Sequence, residues 1–285
     1  MNQRTDIAYE EIERVKSEDV FISETKQYHN IVVRHIQVLK KSEQLNKMPG
    51  DYITIDISGL NDQKERKDTA EVLKECLIKL FPNRNQKVLI VGLGNSEVTA
   101  DALGPLTASK LYVTSHLFRM NKKEMIEGCR DVSVLIPRVM GQTGIETADC
   151  IRAVSSLIQP DFVIVVDALA TSSIERLNRV IQISNTGIQP GSGIGNHRLA
   201  IDEENLKVPV LALGVATVVS VEALLEQFFN RINDCDFSEA KKVFEENEYL
   251  KMVVTPKEMD EDMEHLAQIL SDGLNGALHQ RVSSF

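Results

Sequence analysis

No apolar run in the 285-residue chain approaches the ~20 residues that a membrane helix needs. The N-terminus, MNQRTDIAYEEIERV, is acidic and has no apolar core, so it does not read as a signal peptide. Cysteine is scarce. The four that occur (Cys76, Cys129, Cys150, Cys235) are far apart and form no CxxC pair, which argues against a disulfide framework or a zinc site. The six histidines are dispersed and no HExxH occurs, which removes the commonest zinc-protease signature. Basic charge is also in deficit. A net charge of −10 argues against direct nucleic-acid binding, because phosphate contact needs clustered Lys and Arg. These absences leave an expectation of a soluble, cytoplasmic protein with no membrane and no nucleic-acid partner. Neither an internal repeat nor a low-complexity tract is visible.

What is present is a chain 42% hydrophobic, enough to bury the core of one large domain. It is organised around residues 87–105, KVLIVGLGNSEVTADALGP. The unbroken apolar run 88–91 predicts a strand buried on both faces. Gly92 and Gly94 end it, and a helix is expected over 102–117. A second such run, 162–166, ends in Asp167. Strands are also expected at 31–38, 52–58, 132–136, 180–184 and 208–215, and helices at 64–80, 147–157, 218–229 and after Thr255-Pro256, with Thr255 as N-cap. The strand at 52–58 alternates Ile53, Ile55 and Ile57, the half-buried pattern, while residues 1–30 look like a charged arm outside the core. Strand–helix alternation through the middle implies an α/β fold, a mostly parallel sheet with helices on both faces.

In open α/β sheets, ligands collect at the carboxyl ends of the strands. Asp101 and Asp167 are both expected there. Asp101 alone could be a helix N-cap. As a pair, two close carboxylates cannot both ionise easily, so one keeps a proton while the other stays charged. Such a pair can activate a water and protonate a leaving amine, or it can bind a metal ion. The turn Gly92-Leu93-Gly94 lacks the third glycine of a dinucleotide fingerprint, with Glu97 in its place, and reads as a tight turn. Two further loops are small and polar. Gly141, Gln142, Thr143 and Gly144 could offer donors to a peptide or a developing oxyanion. Gly191, Ser192, Gly193 and Asn196 could cradle an anion or admit a substrate backbone. Ser192 has no GxSxG context and reads as a loop residue rather than a nucleophile; His197 beside it is a weak ligand candidate.

Taken together, Arg4 to Ala8, GLGNSEVTADALGP, GQTGIET, DALA (167–170), IQISNTGIQPGSGIGN, VPVLALGVATVV and VTPKEMD give the chain a resemblance to the germination protease (spore protease) family of spore-forming bacteria. The match runs through nearly the whole chain. The resemblance implies an endopeptidase of atypical aspartic type that degrades small acid-soluble spore proteins during germination. It also implies a fold like that of hydrogenase maturation endopeptidases, a homotetramer in the spore core or forespore, no cofactor, and catalytic roles for Asp101 and Asp167.

Family members are made as zymogens that remove an N-terminal propeptide themselves. Thr5-Asp6-Ile7-Ala8-Tyr9-Glu10 is a close copy of the acidic–apolar sequence that they cut. Self-cleavage is therefore expected between Asp6 and Ile7, leaving residues 1–6 as propeptide and 7–285 as one protease domain. Ser96 and Ala100 stand where the family would carry a larger aromatic and a proline, and Asn185 where an aspartate is usual. The rival readings are a metal-assisted hydrolase on the same carboxylate pair and an inactive sporulation protein on the same scaffold.

Overall fold

A computed structural model describes residues 5–13, 21–28, 30–42, 45, 47–81, 87–122, 127–192, 198–231 and 252–279. One sheet runs through all of it. Its strands are β1 (Phe21–Tyr28), β2 (Ile31–Val38), β3 (Gly50–Asp56), β4 (Lys87–Gly92), β5 (Asp131–Leu135), β6 (Phe162–Thr171), β7 (Val180–Ser184), β8 (Val210–Ser220) and β9 (Val253–Val254). The spatial order is β1-β2-β3-β7-β8-β6-β4-β5, with the short β9 pairing on β8. β5, β4, β6 and β8 are parallel neighbours. From β8 outward through β7, β3, β2 and β1 every pairing is antiparallel. The expected α/β architecture is present, with its parallel strands gathered at one end of a mixed sheet, where β5 forms the edge.

The helices are α1 (Ala8–Ile12), α2 (Gln63–Leu80), α3 (Leu103–Ser109), α4 (Ser115–Arg119), α5 (Met140–Thr143), α6 (Thr147–Ile158), α7 (Glu203–Leu206), α8 (Val221–Arg231) and α9 (Met259–Leu278). Alternation along β4 sorts its side chains between two layers. Val88 and Ile90 pack with Leu73 and Leu77 of α2 and Leu270 and Leu274 of α9. Leu89 and Val91 face the other way, towards Ile151 of α6 and Leu206 of α7. All these side chains are buried, and each contributes roughly 1.5–3 kcal/mol of transfer free energy on burial. α2 starts where Asp62 accepts hydrogen bonds from the Lys64 and Glu65 amides, the expected capping chemistry.

Several sequence expectations are corrected. The helix expected over 102–117 is two helices, α3 and α4, separated by residues 110–114, where β-branched Val113 and Thr114 disfavour continuation. The C-terminal helix is not capped by Thr255: its N-cap is Glu258, and it starts at Met259. β8 runs on to Ser220 because it stays paired with β6, so α8 begins at Val221 rather than 218. The largest change concerns residues 1–30. β1 is an edge strand, with charged Glu24 and Lys26 exposed on it, the usual protection of an unpaired edge. Residues 5–12 are not a free arm. Ile7, Ala8, Glu10 and Ile12 are buried, with Ala8 and Ile12 packed against Ile36, Val38 and Tyr52. The arm thus covers the sheet face opposite α2 and α9, which is why β3 is buried on both faces instead of alternating.

Candidate active site

Asp101 and Asp167 meet where the chain's path across the sheet reverses: it leaves β4 for β5, then returns to β6 on the other side. β4 ends at Gly92, opposite Val166 of β6, so Asp167 is the first β6 residue beyond the end of its neighbour. It does not end its own strand, because β8 remains alongside and carries β6 on to Thr171 through a bulge at Leu169/Ala170. Asp101 follows β4 in a single 3-10 turn, Thr99–Asp101. Thr217 of β8 donates to the Ala100 carbonyl at 3.0 Å, and Thr99 donates to Asp260 of α9 at 2.8 Å. Those two bonds pin the turn to the sheet and to α9.

Gly94 is required here. Its φ is +111°, and a Cβ would run into the Asp101 carbonyl, so only glycine lets the loop close on the acid. Asp101 is also not a cap. The N-cap of α3 is Ala102 with no side-chain bond, and the Asp101 carboxylate instead accepts from the Asn95 amide at 2.9 Å.

The two acids differ in environment. Asp167 is 6% exposed; burial, followed by the charges of Asp101 and Asp6, pushes its pKa well above the ordinary value. Its one hydrogen-bond donor among the described residues is the Ala168 amide, at 2.9 Å. Asp101 is also raised by burial, but the Asn95 amide and the Arg198 guanidinium pull it back. Burial and the neighbouring charges thus favour the protonated form of Asp167, an effect that the Ala168 amide and Arg198 only partly offset.

The arm passes directly through this site. Asp6 donates its amide to the Ala170 carbonyl at 2.9 Å and accepts from the Ala170 amide at 2.8 Å. Its other carboxylate oxygen accepts from the Ser192 hydroxyl at 2.8 Å. The Asp6 carbonyl accepts from Gln182 Nε2 at 2.8 Å and from Lys47 Nζ at 3.1 Å. Gln182 also accepts from the Ala8 amide through Oε1, at 2.7 Å. One side-chain amide thus brackets the Asp6–Ile7 bond. Ile7 is fully buried against Leu169, Val180 and Ala216.

Of the loop residues singled out in the sequence, Ser192 touches Asp6, and Gly191 takes the left-handed φ of +74° just before it. Gly193, Asn196 and His197 lie outside the described residues. Gln142 donates to Asn95 at 2.9 Å and so reaches the Asp101 turn. Thr143 turns back on Val139 and Ile145, and Gly141 and Gly144 have open space around them. Sequence reasoning missed Lys47, Gln182 and Arg198. Gln182 carried a signal, a polar residue between Ile181 and Ile183 in a strand buried throughout. Lys47 lies in a polar connection with no pattern to mark it. No group of three or more His, Cys, Asp or Glu among the described residues is arranged to hold a metal ion. No helix among them is long and apolar enough to cross a membrane.

An α/β sheet with two neighbouring carboxylates at its switch point and a stretch of polypeptide docked on the strand that carries one of them has the makings of a peptide hydrolase. Comparison with known proteins agrees. Residues 1–234 match the germination protease family profile. The chain is 38% identical to a germination protease of Clostridium tetani, over 98% of this chain and 96% of that one. It is 36% identical to one of Bacillus subtilis, over 98% and 94% respectively. It belongs to the germination protease family and is an endopeptidase of that family. Among solved structures it is similar to a [NiFe] hydrogenase maturation protease, HycI of Thermococcus kodakarensis, at 17% identity over 70% of this chain and 98% of that one, with a TM-score of 0.35.

Proposed function

We propose that the chain is a self-processing zymogen in which Asp101 and Asp167 share the acid–base work of peptide hydrolysis, and that its first substrate is its own Asp6–Ile7 bond. The observation that carries this reading is the docked arm. The bond expected to be cut lies against β6, the strand that carries Asp167, with its carbonyl held by two donors, Asp6 bonded to Ala170 and Ile7 packed on Leu169. In this mechanism Asp101, ionised, takes a proton from a water molecule. The water oxygen bonds to the Asp6 carbonyl carbon, and Lys47 and Gln182 stabilise the charge that grows on the carbonyl oxygen. The C–N bond then breaks, and Asp167 gives its proton to the Ile7 nitrogen. The products are a carboxyl group on Asp6 and a free amine on Ile7.

Family membership supports the remaining parts of the proposal: small acid-soluble spore proteins as substrates in trans, a spore-core location, a homotetrameric assembly, and a protease domain spanning residues 7–285 after residues 1–6 are lost. The test is to follow the intact mass of the wild type, Asp101→Asn and Asp167→Asn, each with and without chelator, and then to offer a small acid-soluble spore protein to each. The proposal requires loss of residues 1–6 and substrate cleavage in the wild type alone, indifferent to chelator. Chelator-sensitive cleavage would turn the pair into a metal site. A processed wild type that cleaves no spore protein would leave only the self-cleavage.

A further inference from the structure

Among the described residues, side chains of three elements hold the loop 94–101 that ends in Asp101. Thr217 of β8 and Asp260 of α9 fix its far end, at Ala100 and Thr99. The near end is fixed at Asn95. The Asn95 amide donates to the Asp101 carboxylate at 2.9 Å and to the Asp101 carbonyl at 3.1 Å. Its own side chain keeps that amide in place: Asn95 Oδ1 accepts from the Glu97 amide at 3.0 Å and from Gln142 Nε2 of α5 at 2.9 Å. Gly94 lets the backbone approach Asp101 but, having no side chain, does nothing to hold it there.

The roles in this chain are set by chemistry. A backbone amide can only donate, so the Glu97 amide forces the oxygen of Asn95 to face it, and Gln142 must then be the donor to that oxygen. All four residues of α5 are exposed, and Gly141 and Gly144 meet nothing. An exposed glutamine would ordinarily turn to water. This one instead reaches a residue 47 positions away, the one whose amide faces the acid.

We propose that Gln142 is a positioning residue for Asp101, acting through Asn95 rather than by touching the substrate. This rests on the reading of Asp101 as the base that takes a proton from water. A carboxylate does so only when it is ionised and correctly aimed, and a donor fixed on one of its oxygens favours both. The Asn95 amide accordingly lowers the pKa of Asp101 against the rise that burial causes. The other charges that bear on the acid are Arg198 and Asp167 of β6, with Glu97 in its own loop and Asp260 bonded to Thr99. Replacing Gln142 removes none of them.

The test compares the full chain with Gln142→Leu, Asn95→Ala and the double variant, each cleaving a synthetic peptide that copies residues 1–13. Gln142→Leu should lower kcat about 5- to 10-fold at unchanged KM, the order of one neutral hydrogen bond. It should also move the acid limb of the kcat profile to higher pH, because an aspartate with a loosened donor keeps its proton longer. In the Asn95→Ala background Gln142→Leu should add almost nothing, since its route to Asp101 is already gone. A rise in KM with kcat and limb unchanged would make Gln142 a substrate contact and overturn the proposal. So would a double variant whose loss is the product of the two single losses. Should Asn95→Ala fail to fold, Gln142→Leu alone decides, its side chain being exposed. An NMR titration of the Asp101 carboxyl, its signal assigned by loss in Asp101→Asn, separates this proposal from the catalytic reading. The Asp101 pKa should rise in Gln142→Leu whatever Asp101 does in catalysis, and no rise overturns the positioning role. Peptide cleavage that survives in Asp101→Asn, together with that rise, would sink the catalytic assignment and leave the positioning intact.

Discussion

The parallel strands β4, β6 and β8 are enclosed between layers of helices over most of their length, the arm reaching only the ends of β6 and β8 at Leu169, Ala170 and Ala216, whereas β2, β3 and β7 have helices on one face and the chain's own N-terminal arm on the other. The first region is continuous with the folded core; the second is completed by a short segment that cleavage between Asp6 and Ile7 would turn into a new N-terminus. The chemistry follows that division. The parallel block supplies the acids, Asp101 and Asp167. The antiparallel half supplies Gln182 and borders Lys47, the donors that hold the bond to be cut. Rigid elements thus position the reacting groups, and the docked arm serves as substrate.

Loss of either acid should have the largest effect, and it should be confined to chemistry. Asp101→Asn or Asp167→Asn should slow release of residues 1–6 by about 10³-fold or more, a general acid–base contribution, while the arm stays docked. Hydrogen exchange at the Ala8 amide, bonded to Gln182, reports the docking. A variant that cleaves at half the wild-type rate would remove that acid from the mechanism.

Next in size is Gln182→Leu. It removes the bracket on both sides of the bond and should lower kcat for self-cleavage about 10²-fold, the usual effect of losing one oxyanion donor. Lys47→Met should act similarly, and Lys47→Arg should recover part of the loss. If either substitution changed only KM for a separate peptide, the group would bind substrate without stabilising the transition state.

The same division explains what could be read from the sequence. Strand β4 and the first part of β6 were legible because burial on both faces writes an unbroken apolar run, and Asp101 and Asp167 stood out at the ends of those runs. The arm was illegible for the opposite reason. Thr5, Asp6, Tyr9 and Glu10 are polar or amphipathic, and they are buried through specific partners, Ala170, Ser192, Ser172 and Arg176, that lie more than 160 residues away. No local periodicity records such pairings. Lys47 and Arg198 were hidden likewise, since a basic residue in a loop looks like solvated surface until the fold turns it towards an acid. The helix break at 110–114 and the true start of α9 were missed because residues adjoining a helix end carry weaker signals than its apolar stripe.

Packing should separate the two regions in stability. Leu73 of α2 is fully buried in the layer beneath the parallel strands, and Leu73→Ala should cost about 2–5 kcal/mol of global stability in denaturant melts. Ile7 is equally buried, but it belongs to the arm. Ile7→Ala should accordingly raise local opening of residues 5–12, read by hydrogen exchange, and leave the global midpoint nearly unchanged. A global loss from Ile7→Ala as large as that from Leu73→Ala would mean that the arm is part of the cooperative core.

The smallest effect is also the one with opposite signs in the two regions. The folded protein holds a proton on Asp167 at pH values where the unfolded chain, with an ordinary aspartate near ~3.9, has released it. The stability that Asp167 contributes is therefore complete below the unfolded value and is lost as pH rises towards the elevated folded one. Asn is neutral throughout, so Asp167→Asn should match the wild type in acid and gain on it progressively towards neutral pH. Glu10 behaves in reverse. Its folded pKa is depressed by Ser172, Thr171 and Thr5 in spite of burial, so its contribution is present above the unfolded value and lost as pH falls through the folded one. Glu10→Gln should thus weaken arm docking at neutral pH and make little difference in acid. Thermal midpoints of Asp167→Asn and exchange at the arm amides of Glu10→Gln, each taken against pH beside the wild type, should diverge from it at neutral pH in opposite directions, Asp167→Asn upward and Glu10→Gln downward. Parallel curves in both cases would mean that neither acid feels the surroundings described for it.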